Sequence, residues 1–238
     1  MIKNKFCFAL VGFLFLNLHL SHASLSDDET QIIMDKTHKH VTITKGSIHL
    51  NSVSKADFED FQDLWSNPDV MKWIGKGSTK SKEQSSKLFW AFEQCWETSF
   101  KKNIFSFNML FSIKIKEPEQ EHPSFIGYVN LFTPHDKDWV INNEGRTELG
   151  IGILPKFQGK GQGRQAVEVI VNHYIPYLNE NRFLVAGNLI QSVEATCKTD
   201  NVYVNVALKK ACGEPILLTD TPYGQARNFY KLSLNQTS

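Results

Sequence analysis

The chain has 238 residues, 26 Lys+Arg against 25 Asp+Glu, a formal net charge of +1, and a composition that is 41% apolar and 12% aromatic. This is the composition of a folded rather than a disordered chain, and its near-neutrality argues against a dedicated nucleic-acid binder. Four cysteines in this length exclude a disulfide scaffold, and the length fits one domain with an extension.

The first 23 residues differ from the rest. Lys3 and Lys5 make a positive start, Phe6 to Leu16 is unbroken apolar sequence, and Ser21-His22-Ala23 ends the segment with small residues at both peptidase-read positions. These features predict a secretory signal peptide over 1–23. The run, bounded by Asn17 and His19, is shorter than the ~20 residues of a membrane span. The alternatives are a buried N-terminal helix or an uncleaved anchor. Cleavage removes two lysines, no acid and Cys7, so the remaining charge is near −1 and Cys95, Cys197 and Cys212 stay, at least one of them unpaired. The expected localisation is secreted or periplasmic, with delivery into another cell one route, and no transmembrane segment after cleavage. No Cys/His cluster has zinc spacing, and His38-Lys39-His40 reads as solvated linker.

Residues 24–45 are polar and weakly periodic, and are expected to form a linker or loosely attached arm. The domain then runs over 46–238. Ser47 to Val53 alternates as a strand, and Phe58, Phe61, Leu64 and Trp65 recur at helical spacing. Ser66-Asn67-Pro68-Asp69 breaks this helix and opens a short second one through Ile74. Ser81 to Lys101 predicts a longer helix with Leu88, Phe89, Phe92, Cys95, Trp96 and Phe100 on a wide apolar stripe. Trp65, Trp73, Trp90 and Trp96 read as core or cleft wall. Strands follow at 105–115, 124–132 and 147–154, with a hairpin loop at 117–123 and a polar loop at 136–145. A helix over 163–175 ends or kinks at Pro176. A strand at 189–197, a helix at 201–211 broken by Gly213, and strands at 216–218 and 229–232 complete the chain. No repeat is present.

The chemistry is concentrated in Ile151 to Ala166, IGILPKFQGKGQGRQA. A strand ends, a turn holds Gly159, Gly161 and Gly163, and a helix starts at once. Glycines admit close backbone approach, and N–H groups at a helix start favour anions. Lys160 and Arg164 add positive charge. The turn is predicted to bind a phosphate or pyrophosphate. A P-loop is absent. A dinucleotide pattern does occur at Gly161, Gly163 and Ala166, but Phe183 to Gly187 lacks the acidic residue it requires.

Gln158 to Gly163 (QGKGQG) resembles the Q/R-x-x-G-x-G/A acetyl-CoA turn of the GNAT N-acetyltransferase superfamily. Ser66 to Gly75 (SNPDVMKWIG), Phe125-Ile126-Gly127, Thr147 to Gly161 and Asp200-Asn201 resemble, in order, segments of its ribosomal-protein N-acetyltransferase-like branch. The resemblance spans about Lys45 to Leu232. It implies a mixed α+β, three-layer fold: a central sheet of 6–7 strands, helices on both faces, and a fourth and fifth strand that splay apart.

The resemblance further implies acetyl-CoA as co-substrate. Its pantetheine arm would pair with the backbone of Ile151, Gly152 and Ile153, its pyrophosphate would rest on Gln158, Gly159, Lys160, Gly161, Gln162 and Gly163 with Arg164 close by, and Asn201 would reach the pantetheine. The expected reaction is acetyl transfer to an amine of unknown identity. Glu148 matches a Glu common in this branch and is the candidate general base, an ordinary surface Glu being the alternative. The family's usual thiolate-protonating Ser or Tyr is replaced by Val204 or Leu208, with Tyr203 and Asn205 near but at other helical angles. Competing readings are a catalytically weak CoA-binding module on the same fold and a leader-anchored interaction protein. Asn235-Gln236-Thr237 forms a glycosylation sequon.

Overall fold

Short alternating segments joined by tight turns build most of the sheet. In the computed structural model, residues 29–234 are described, apart from 38, 103, 106–107, 118, 134–143, 186 and 222. The expected leader, the start of the arm, His38, most of the loop at 136–145 and the sequon lie outside the described residues.

The strands are β1 (Gln31–Asp35), β2 (His40–Lys45), β3 (Ile48–Ser52), β4 (Ile104–Phe105), β5 (Asn108–Ile115), β6 (Ser124–Phe132), β7 (Arg146–Ile153), β8 (Leu184–Val185), β9 (Ser192–Lys198), β10 (Ile216–Leu218) and β11 (Arg227–Ser233). The helices are α1 (Phe58–Ser66), α2 (Pro68–Met71) and α3 (Lys82–Lys102). Next comes α4, made of Gln162–Val169, a π turn Ile170–Tyr174 and Ile175–Glu180. The last is α5 (Val202–Cys212). Asn67 caps α2 by accepting from Asp69 N–H at 2.9 Å, with Pro68 at its first position.

The described residues form a nine-stranded sheet in the order β1-β2-β3-β5-β6-β7-β9-β11-β10, and β4 pairs with β8 apart from it. Every pairing in the large sheet is antiparallel except β7 with β9, which α4 connects as a crossover. The sheet exceeds the expected 6–7 strands because residues 31–45, expected as a linker or loose arm, pair as β1 and β2. Val41 and Ile43 of β2 are fully buried. Burying that apolar face docks the terminus that its polar composition had marked as loose.

The parallel pair runs only from Arg146 opposite Ser192 to Glu148 opposite Glu194. Beyond it β7 continues along β6 as far as Ile153, while Ala195 to Lys198 pair only with β11. The sheet therefore splits between β7 and β9, the strands expected as fourth and fifth.

Side-chain alternation assigns the layers. Ile151 and Ile153 lie against Gly163 of α4, whereas Gly152, on the opposite face, sits against Tyr128 and Ile74. Helices thus cover both faces. On the Gly152 face Phe61 of α1 packs on Trp65, Phe89, Phe125 and Tyr128 at centroid distances of 5.1–6.0 Å. On the other face Tyr174 meets Phe111 edge-on at 5.2 Å.

Two local expectations change. Pro176 does not end its helix. The π turn Ile170–Tyr174 widens the helix just before it, where a proline's missing N–H and ring clash would otherwise break an α-helical ladder. Trp65 and Trp96 are core, but Trp90 is 62% exposed.

Candidate functional site

The site begins where β7 ends. Leu154 opens a 3-10 turn, Pro155–Phe157, and the chain then crosses Gln158 to Gly161 into α4. Gly159 and Gly161 have φ of +75° and +85°, a region that side chains enter only with strain. A Cβ at either would project into open space, so the turn offers an unfilled cradle. The first N–H groups of α4, at Gln162, Gly163 and Arg164, have no preceding helical carbonyl to bond. Such a turn fits a pyrophosphate through main-chain donors.

The side chains of the turn have distinct partners. Gln158 folds back, its Nε2 donating to Ile153 O at 2.8 Å, and so fastens the turn to β7. Lys160 lies over the Phe157 ring at 5.6 Å, and Arg164 Nε is 3.4 Å from Glu168. Both cations are exposed beside the cradle.

Along β7, Leu154 N–H bonds Ile126 O at 2.9 Å and sets the alternation of the ladder. Gly152 then belongs to the β6 side, and the main-chain groups of Ile151 and Ile153 line the open edge of the split. An extended arm could pair there as an added strand. Gly152 contributes space instead: a Cβ would come within 2.6 Å of Tyr128 and 3.2 Å of Ile74.

Glu148 stands at the apex of the split, at the last paired position of β7 and β9. Its Oε1 accepts from Thr196 Oγ1 at 2.9 Å. Burial pushes its pKa from an ordinary 4.5 up to about 7; Thr196 and Arg227 oppose the shift, and Glu194 adds to it. Glu194, 2% exposed, is paired with Arg146, whose Nη1 lies 3.2 and 3.3 Å from its two oxygens. Tyr223 also faces this pocket. Burial, then Glu148, push its phenol up to about 12, Arg227 opposes, and the guanidinium sits 4.8 Å from its ring. Arg227 also donates through Nη1 to Gly75 O at 3.4 Å, and Gln225 Nε2 donates to the same carbonyl at 2.8 Å. The loop after α2 is thereby tied to β11 beside the split.

Asn201 caps α5, its Oδ1 accepting from Val204 N–H at 3.4 Å. Because β7 and β9 are parallel, Asn201 and the glycine turn both follow carboxyl ends of their strands, the usual ligand side of such a split. The two polar side chains near the family's usual acid positions stand apart from the split. Tyr203 is 91% exposed, and Asn205 is committed to the framework: its amide nitrogen donates to Lys198 O at 2.8 Å and Asn201 O at 2.9 Å. Its Oδ1 accepts from Cys197 Sγ at 3.0 Å, Asn228 at 2.6 Å and Tyr230 at 2.9 Å.

The fold thus gathers Glu148, Ile151, Ile153, the 158–164 turn and Asn201 around one split. Sequence reasoning missed Thr196, Arg227, Tyr223 and Glu194, which carry no local motif. The alternation that marked β9 was the one available signal for Thr196 and Glu194. Among the described residues Cys95, Cys197 and Cys212 form no disulfide, and no group of His, Cys, Asp or Glu could hold a metal. No described helix is long and apolar enough to cross a membrane.

Comparison with known proteins agrees with this geometry. A family model described as an acetyltransferase (GNAT) domain matches residues 47–211. A search of curated proteins matched none. Among solved structures, an acetyltransferase of the GNAT family from Bacillus anthracis aligns with a TM-score of 0.56 at 16% identity, over 81% of this chain and 98% of its own. RimL, a ribosomal-protein alpha-N-acetyltransferase in complex with coenzyme A, aligns at 0.57 and 12% identity, over 79% and 94%. A spermidine N-acetyltransferase from Vibrio cholerae, in complex with CoA and spermine, aligns at 0.53 and 16%, over 79% and 95%.

Proposed function

The chain belongs to the GNAT acetyltransferase family, whose members use acetyl-CoA, and from that premise we propose that it transfers an acetyl group to an amine with Glu148 as general base. The observation that carries this reading is the split between β7 and β9, with an anion cradle at its outer end and Glu148 at its apex.

Acetyl-CoA supplies a thioester carbonyl carbon for the amine to attack. The 158–163 turn binds the pyrophosphate, and the open edge at Ile151 and Ile153 orients the pantetheine arm. Asn201 completes that side. Glu148 takes the proton that the amine must shed; with its acidity near 7 it is a carboxylate in a large fraction of molecules at neutral pH and still basic enough to act. A backbone N–H on β7 stabilises the oxyanion, whose collapse re-forms the carbonyl, breaks the C–S bond and expels CoA as a thiolate that takes its proton from solvent. Holding both reactants in the split supplies much of the rate. The acceptor is a protein N-terminus, a lysine or a small amine. Export belongs to this reading on the strength of the leader signature alone, and N-terminal sequencing of the exported protein tests it.

The test is thermal. Acetyl-CoA at about 100 times its Kd should stabilise the protein by ~2.7 kcal/mol, and Gly161→Val should remove that shift. An amine panel should then release free CoA thiol. No thermal shift would overturn the reading. A shift without product from any amine would favour the second reading, a CoA-binding module, which the exposed Tyr203 and the committed Asn205 support.

A further inference from the structure

A hydrogen-bond chain reaches the apex of the split from the far side of the sheet. Arg227 lies on β11, two strands from Glu148, and is buried. Its Nε donates to Thr196 Oγ1 at 3.3 Å and its Nη2 to Thr196 O at 3.1 Å. A guanidinium has donors and no acceptor, so Thr196 Oγ1 must accept from it. The single hydroxyl proton of Thr196 is then directed onward, to Glu148 Oε1 at 2.9 Å. The polarity of the chain is fixed from one end to the other.

We propose that Thr196 and Arg227 are positioning residues that hold Glu148 by Oε1 and leave Oε2 as the atom that takes the acceptor's proton. This rests on Glu148 being the base. A free carboxylate at the apex would rotate about its last torsion and present either oxygen. Held by Thr196, it presents one. The second arm of the guanidinium reaches Gly75 O, which Gln225 also holds, so a single residue fixes both the base and the loop after α2. That loop continues from Ile74, whose side chain lies beside Gly152 on the same face of the sheet as Glu148. The acceptor amine approaches between them.

The other charged and titratable groups around Glu148 do not substitute for this chain. Glu194 on β9 is engaged by Arg146 of β7, with Lys231 of β11 at 3.8 Å. Tyr223 faces the pocket from the loop before β11 and carries no charge near neutrality. Arg227 acts on Glu148 through the hydroxyl of Thr196 and, across space, through its own charge.

The experiment is a carboxyl carbon-13 NMR titration of protein labelled at glutamate, with Glu148→Gln assigning the Glu148 signal. Thr196→Val keeps the shape and removes the hydroxyl; Thr196→Ser restores it. A hydrogen bond to the charged form favours that form. The Glu148 midpoint should therefore rise by about one pH unit in Thr196→Val and return to the wild-type value in Thr196→Ser. The same variants are followed by the acidic limb of kcat/KM with an amine that the wild type acetylates, and that limb should move with the NMR midpoint. A Glu148 midpoint that does not move in Thr196→Val overturns the positioning chain, whatever the protein's activity. A midpoint that moves while the rate limb stays fixed overturns Glu148 as the base, and with it the positioning role.

Discussion

Glu148 is a residue whose burial is costly to the fold when it is charged, and the proposed reaction uses that same burial. Burial raises its pKa from 4.5 to about 7, so the folded state binds a proton that the unfolded chain releases between those values. The sign follows from linkage: this stabilising contribution is complete below about pH 4.5 and is lost as pH rises through about 7. Glu148→Gln should therefore raise the melting temperature by a few degrees at pH 8 and leave it nearly unchanged at pH 4.5, measured by calorimetry across pH. The same variant should lower kcat/KM by about 10²–10⁴-fold, the usual worth of a general base. At the cradle, Gly161 has a positive φ and an open Cβ direction. Gly161→Ala should cost ~1–2 kcal/mol of stability through backbone strain, read by urea unfolding, and should weaken acetyl-CoA binding by occupying the space the ligand needs. The glycine turn was legible in the sequence because its residues are adjacent and its spacing is the signal. Thr196 and Arg227 were not, because they are 48 and 79 positions from Glu148 and meet it only through strand pairing.

Elements earn their places through non-local partners. α5 is held by Asn205, which joins the end of β9, Asn201 and the side chains of Asn228 and Tyr230 on β11. Asn205→Ala would leave several of these groups buried without partners. It should cost about 2–4 kcal/mol and raise hydrogen exchange along α5. Because α5 begins at Asn201, acetyl-CoA affinity should fall with it. α4 carries the opposite lesson. Pro176 reads as an end or a kink; the π turn ahead of it absorbs the missing donor, and packing of Ile175 and Leu178 in the core carries the helix to Glu180. Local rules mark such a site but cannot say whether tertiary burial will override them.

Across the whole molecule the sheet sets the function, since one parallel pairing in an otherwise antiparallel sheet is where the site opens. The opposite end is built by β1 and β2. Ile43→Ala, at a fully buried position, should cost about 2–4 kcal/mol by urea unfolding. It should leave the acetyl-CoA thermal shift intact, because β2 lies well across the sheet from β7. By itself the sequence determined the order of the helices and of the large sheet's strands over 46–238, though not the short β4–β8 pair, and it pointed to the glycine turn, the family and Glu148 as the base to consider. Periodicity, capping residues and clustered glycines are local, and such signals survive in one dimension. Tertiary structure alone decided that residues 31–45 join the sheet, that β7 and β9 part at Glu148, and which side chains surround that carboxylate. Those outcomes depend on burial and on strand pairing between distant segments, which the free energy of the whole sheet selects and no short window encodes.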